Sequence, residues 1–122
     1  MAVWHKGMAL AKSIYSFTKM LPPEEKYSLT QQMQRAAISV PSNIAEGCSR
    51  NGDKDFARFL DIARGSLNEL ETQVELACDI YTLEGDTILS DIHSLSKMLY
   101  GFRAKLLPLA PEPQTASPQG GA

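Results

Sequence analysis

No stretch of this chain approaches the roughly 18 consecutive apolar residues that a membrane-spanning helix needs. Lys6, Lys12 and Lys19 interrupt the N-terminal apolar region, so it does not read as a signal peptide, and a cytoplasmic location without membrane contact is the expectation. Positive charge is not in excess either. Twelve Lys and Arg against 14 Asp and Glu leave a net charge of -2, which excludes a generically basic, DNA-coating protein. Cysteine is limited to Cys48 and Cys78. If residues 28–50 and 53–81 form an antiparallel hairpin about Asn51, Cys48 lies level with about residue 54. That is too far from Cys78 for a disulfide, and both thiols sit beside apolar stripes, where free cysteine behaves as a small buried hydrophobe.

The patterns that carry known chemistries are missing as well. A di-iron site in a helical bundle needs Glu-x-x-His from each of two helices. Ser90 stands three residues before His93, and His5 has no preceding glutamate, so neither a metal nor another cofactor is expected. The run Gly47-Cys48-Ser49-Arg50-Asn51-Gly52-Asp53-Lys54 echoes a phosphate-binding loop, but Asp53 separates the glycine from the lysine and a helical pattern precedes it. No serine or cysteine has a histidine and an acid placed along the chain to activate it. Glu69 and Glu71 fall on different sides of a helix, so they are no acid/base pair. The chain is expected not to be an enzyme.

What is present is helical periodicity. The 122 residues suffice for one domain with a single core, and 43% hydrophobic with 21% charged residues is the composition of a soluble globular protein. Residues 3–20 predict helix one, with Trp4, Met8, Ala11, Tyr15 and Thr18 as its stripe and Val3, Leu10, Ile14, Phe17 and Leu21 as a second stripe beside it. Pro22 ends that helix and Pro23 opens helix two, with Glu24 and Glu25 complementing its dipole. Helix two then ends at Gly47 or near Ser49. Helix three, capped by Asp53, has the clearest pattern: Phe56, Leu60, Ala63, Leu67, Leu70, Val74, Ala77 and Tyr81 alternate steps of four and three. Helices two and three would each be on the order of 40 Å long at ~1.5 Å per residue. Helix four follows an Asp86 cap with Ile88, Ile92, Leu95, Leu99, Phe102 and Leu106. The expected architecture is an all-α, antiparallel up-down-up-down four-helix bundle over residues 1–107, followed by a disordered Pro/Gly-rich tail at 108–122.

The stretch Gln34–Gly47 organises the rest. Its apolar stripe passes through Pro41 without losing phase, which predicts one long kinked helix, with Ser39, Ser42 or Asn43 satisfying the carbonyl of Ala37. The hairpin centre at Asn51 puts Arg35 opposite about Asn68, within a turn of Arg64 and Glu71, and puts Ser39 and Asn43 around the level of Ala63–Arg64. A polar network between helices two and three is the structural expectation, and a ligand or nucleic-acid contact is the functional one.

Charge is unevenly spread. Helix one is basic, while Glu69, Glu71, Glu75 and Asp79 make the second half of helix three wholly acidic. Lys6, Lys12, Lys19, Lys97, Arg103 and Lys105 would share a basic side of neighbouring helices one and four. Arg50, Lys54 and Arg58 surround the hairpin tip. Together these nine are the candidate nucleic-acid contacts. Phe59, Ile62, Leu76 and Ile80 form an extra apolar strip on one flank of helix three, wider than one bundle interior requires, and are the candidate oligomer interface.

Two segments, Arg35-Ala36-Ala37 through Ser42-Asn43-Ile44-Ala45-Glu46-Gly47 and Ala63-Arg64-Gly65-Ser66-Leu67 through Glu69-Leu70-Glu71-Thr72-Gln73, resemble the bacterial 23S rRNA intervening-sequence four-helix bundle family. The likeness runs from Val3-Trp4 to Lys97-Met98-Leu99, and Arg35, Pro41, Asn43, Glu46, Gly47, Arg64, Gly65, Ser66 and Glu69 carry its signature. The resemblance implies a ring-like homo-oligomer, typically a pentamer. A related branch serves diversity-generating retroelements, partnering a reverse transcriptase and binding nucleic acid through a basic surface; the net charge of -2 and the acidic helix three depart from it. The expected function is a non-catalytic oligomeric scaffold or accessory protein, with itself, RNA, DNA or a nucleic-acid enzyme as partner. The alternatives are a protein-binding module whose partner docks on the acidic part of helix three, and an enzyme with a site at a subunit interface.

Overall fold

The computed structural model describes residues 1–108, which form helices α1 (Ala2–Thr18), α2 (Leu29–Cys48), α3 (Asp53–Tyr81) and α4 (Asp86–Leu106), with a 3-10 turn at Pro23–Glu25. Each helix packs on two neighbours, α1 on α2 and α4, and α3 on α2 and α4, with no diagonal contact. That is the up-down-up-down bundle. The Pro/Gly-rich segment expected to be a tail lies outside the described residues except for Pro108.

Pro41 does not break α2: the helix is continuous over 20 residues and Pro41 itself is buried. The Ala37 carbonyl is not rescued as expected, because Asn43 donates instead to the Ser39 carbonyl (2.8 Å) and the Ser39 hydroxyl (2.9 Å). Pro41 lies against Gly7, where an added Cβ would already stand 3.4 Å from the proline Cβ. A side chain larger than alanine at position 7 would therefore push α1 off α2. α2 ends at Cys48 with Ser49 as its C-cap, the later of the two expected ends, and Gly47 lies in its last turn. A Cβ there would sit 2.8 Å from the Phe56 ring and 3.0 Å from the Phe59 Cβ, so the glycine lets the start of α3 close on α2.

Several helix ends differ from expectation. α1 stops at Thr18, because its last turn tightens into i→i−3 bonds from Lys19, Met20 and Leu21 ahead of Pro22. Pro23 begins the 3-10 turn rather than α2, which starts six residues later. With 20 residues α2 is about 30 Å long, while the 29 residues of α3 do exceed 40 Å. Glu25 anchors the start of α2, accepting bonds from Ser28 Oγ (2.6 Å) and Leu29 N–H (3.2 Å). Gly52, not Asp53, is the N-cap of α3, and its φ of 125° suits glycine alone. Asp53 and Asp55 lie in the first turn, where they complement the dipole. Gly85 precedes α4, and the Glu84 carboxylate, not that of Asp86, accepts the first free N–H of the helix.

The α3 seam is buried as its spacing predicts: Leu60, Ala63, Leu67, Leu70, Val74 and Ala77 are fully enclosed, and Phe56 and Tyr81 at its ends are half-buried. On α1 the two stripes are exchanged. Val3, Leu10, Ile14 and Phe17 enter the core, whereas Trp4, Met8 and Ala11 are only half-buried and Tyr15 is exposed. Gly7 falls on the inner stripe, and this is what lets that face approach α2.

Pro41→Ala should keep the bundle. Restoring the helix-interior N–H removes a cost of up to ~3 kcal/mol, and losing two buried ring carbons costs about 0.8 kcal/mol each. The expected net effect is a gain of about 1 kcal/mol, readable by urea denaturation. A large loss would show that the proline ring is needed to hold α1.

Tyr81 at the end of α3 donates its hydroxyl to Glu25, joining α3 to the turn before α2. Bonds from Ser28, Tyr81 and the Leu29 N–H hold the Glu25 carboxyl below its ordinary 4.5, while acceptance by Glu25 pushes the Tyr81 phenol up to about 12. The Glu25 contribution is present above about pH 4.5 and is lost as pH falls through its lowered value; that of Tyr81 is present below about pH 10 and is lost as pH rises toward 12. Tyr81→Phe should lower Tm at neutral pH and flatten both limbs of the Tm–pH profile.

Candidate interaction surfaces

The α2–α3 seam contains the expected polar bridge, displaced by two residues. Ser39 meets not Arg64 but Ser66, hydroxyl to hydroxyl at 2.7 Å, and Asn43 extends the pair on α2. Arg35 is exposed and donates to Gln32 (3.2 Å) rather than reaching Asn68. With Glu69 and Gln73 it lines a recess of about 110 Å³. Arg64 turns the other way, its guanidinium 4.9 Å from the Tyr100 ring centre on α4. Glu46 pairs with Arg50 at 2.7 Å on the surface. Pro41, Gly47, Arg64 and Ser66 of the candidate signature thus join helices, and Asn43 braces Ser39 within α2. Gly65 is different: a Cβ there would meet nothing within 4 Å.

The basic residues do not form one surface. Lys6 stands in the α1–α4 groove beside Asp91, whereas Lys12 borders the opposite α1–α2 groove. At the hairpin tip Arg50 pairs with Glu46 and Asp55, and Arg58 with Asp55 at 3.0 Å. Arg103 crosses from α4 to Asp61 at 3.2 Å and joins Lys54 and Arg58 around one cleft, away from the Lys6 groove. Lys19, Lys97 and Lys105 are exposed. Among the candidate basic residues, Arg50, Arg58 and Arg103 are the ones paired with acids of the described chain.

Two apolar surfaces are left uncovered by the described residues. On α3, Ile62, Leu76 and Ile80 are 41%, 49% and 54% exposed. Phe59 does not belong with them. It is 8% exposed, closed in by Gly47 and by the guanidinium groups of Arg50 and Arg58 at 4.9 and 4.4 Å from its ring centre. The second surface is a groove of about 510 Å³ between α1 and α2, walled by Trp4, Met8, Tyr15, Ile38, Pro41 and Ala45. The sequence places these α1 residues on a core stripe, so the groove was hidden in it.

The titratable groups are sparsely arranged for chemistry. His93 bonds Glu71 at 2.8 Å, across α3 and α4, with no hydroxyl or thiol on its ring. Among the described residues no group of three or more His, Cys, Asp and Glu side chains comes together as a metal site. Both cysteines are free. Cys48 is exposed rather than buried, its thiol 3.7 Å from the Met1 sulfur. Cys78 is half-buried; burial, then Glu84, Asp79, Glu75 and Asp86, push its thiol up, away from the reactive thiolate. No helix among the described residues is long and apolar enough to cross a membrane.

Residues 1–101 match the family described as 23S rRNA-intervening sequence protein. The chain belongs to that family. Its fold is also that of a crystal structure of a protein of unknown function, from the S23 ribosomal protein family of Bacteroides thetaiotaomicron VPI-5482. The two share 24% identity with a TM-score of 0.76, over 83% of this chain and 97% of the other. No curated protein matches the chain. The intervening-sequence family and its structural neighbour bring a bundle and no described activity.

Proposed function

We propose that this intervening-sequence family member is a non-catalytic scaffold or accessory protein that works as a homo-oligomer. One observation carries the proposal: Ile62, Leu76 and Ile80 hold an apolar strip on α3 that no other part of the described chain covers. Three large aliphatic side chains along one helix face, left in water, are the mark of an association surface. The resemblance to ring-forming relatives favours five subunits. Wild-type protein at micromolar concentration should sediment as an oligomer. Ile80→Asp should yield smaller species with unchanged helicity, since position 80 is exposed in the subunit. A monomeric wild type at that concentration would overturn the proposal.

A nucleic-acid-related setting is part of the same proposal, supported by the family's description in terms of 23S rRNA. The paired arginines and scattered lysines favour only weak, sequence-independent contact with RNA or DNA. Log affinity should then fall with log salt at about -0.9 per phosphate contact on duplex DNA. Tight, salt-insensitive and sequence-specific binding in a titration would contradict it.

A further inference from the structure

The α3 strip and the α1–α2 groove have complementary shape, charge and height. The strip is convex, Glu69 lies on it between Ile62 and Leu76, and that half of the helix carries acids and no basic residue. The groove is concave and apolar, and its one charged wall residue is Lys12, on a helix that carries no acid. Two strips cannot face each other without opposing their carboxylates, and two concave grooves leave a void. A copy of this chain therefore pairs unlike surfaces.

Gly65 adds an independent sign. A glycine inside a helix costs stability, and its missing side chain normally makes room for a close neighbour. At Gly47 the neighbour is Phe56; at Gly65, between Ile62 and Glu69 on the strip, the described residues supply none. Height agrees as well. The Ser39–Ser66 bond and the Gly7–Pro41 contact put Ile62 and Gly65 on a level with the groove. Copies standing side by side need no axial shift, as a closed ring requires, where a shift would build a filament.

We propose that the α1–α2 groove, with Trp4, Tyr15, Ile38 and Ala45, receives the Ile62–Gly65–Glu69 stretch of the strip of a second copy, head to tail. This rests on the self-association proposed above and adds which surfaces meet. The test uses two full-length variants altered at exposed positions. Ala45→Trp fills the groove and leaves the strip intact, with Ile38→Asp as a second groove variant should the first misfold. Ile62→Asp combined with Ile80→Asp spoils the strip and leaves the groove intact. Each alone should sediment as a monomer with wild-type helicity. Mixed in equal amounts they should form a 1:1 dimer that grows no further, because only one good strip and one good groove are present. If wild type assembles and the groove variants assemble equally well, the pairing is overturned while self-association stands. If wild type is monomeric, both fall. Loss of assembly on removing residues 109–122, with both surfaces intact, would overturn the pairing in favour of that segment as the groove's occupant.

Discussion

Burial of one face of α3 is the contact on which the rest of the bundle depends. Leu60, Ala63, Leu67, Leu70, Val74 and Ala77 are wholly withdrawn from water, and both α2 and α4 lean on that helix. Each enclosed leucine is worth about 2 kcal/mol of transfer free energy, so this face outweighs any single polar contact in the molecule. Ala63 and Ala77 interrupt the larger side chains of the seam, and a small residue at such a position lets the neighbouring helix come close. Met33, Ile44 and Val40 from α2 and Ile92, Leu95 and Leu99 from α4 fill the space, all with 0–1% exposure. The α1 helix closes the fourth side with Leu10, Ile14 and Phe17.

This explains which parts of the fold were legible in the chain. On α3 one apolar stripe runs unbroken for about eight turns, so periodicity names the residues of the seam. On α1 two stripes of similar strength lie side by side over less than five turns, and periodicity cannot choose between them. The aromatic and methionine stripe looked the larger, yet the aliphatic stripe won because it contains Gly7. A glycine on one face of a short helix marks close approach, and Pro41 proved to be the surface approached. Phe59 was misread for the related reason that its partner is an absence. The side chain that Gly47 lacks is the space that Phe56 and Phe59 occupy, and no hydrophobicity pattern records a missing atom.

The start of α2 was misjudged for another physical reason. Pro23 with two glutamates behind it satisfies every local rule for a helix N-terminus, and it does begin a helical turn. The competing pull is tertiary. Tyr81 reaches across from the end of α3 to hold Glu25, and Glu25 in turn holds Ser28 and the first N–H of α2. A residue 56 positions away thereby helps to decide where α2 begins. The Asn51–Gly52 turn, which needs the positive φ of Gly52, is by contrast set locally and is read from the residues themselves.

The same logic bears on what the family resemblance can tell. The positions that carry it are largely positions where helices touch: Pro41 under Gly7, Asn43 and Ser66 on Ser39, Gly47 under the Phe56 ring, Arg64 on Tyr100. A signature built from packing constraints identifies a fold well and a chemistry poorly. Residues in this set that do no evident packing within the subunit therefore carry the most functional information. Gly65 is open to solvent on the exposed strip, and Arg35 and Glu69 line one recess without a direct ion pair. All three lie on or beside the outer α2–α3 surface, not in the interior where a bundle would house a cofactor. The part of the signature left over after the fold is accounted for thus points outward, toward what this surface meets.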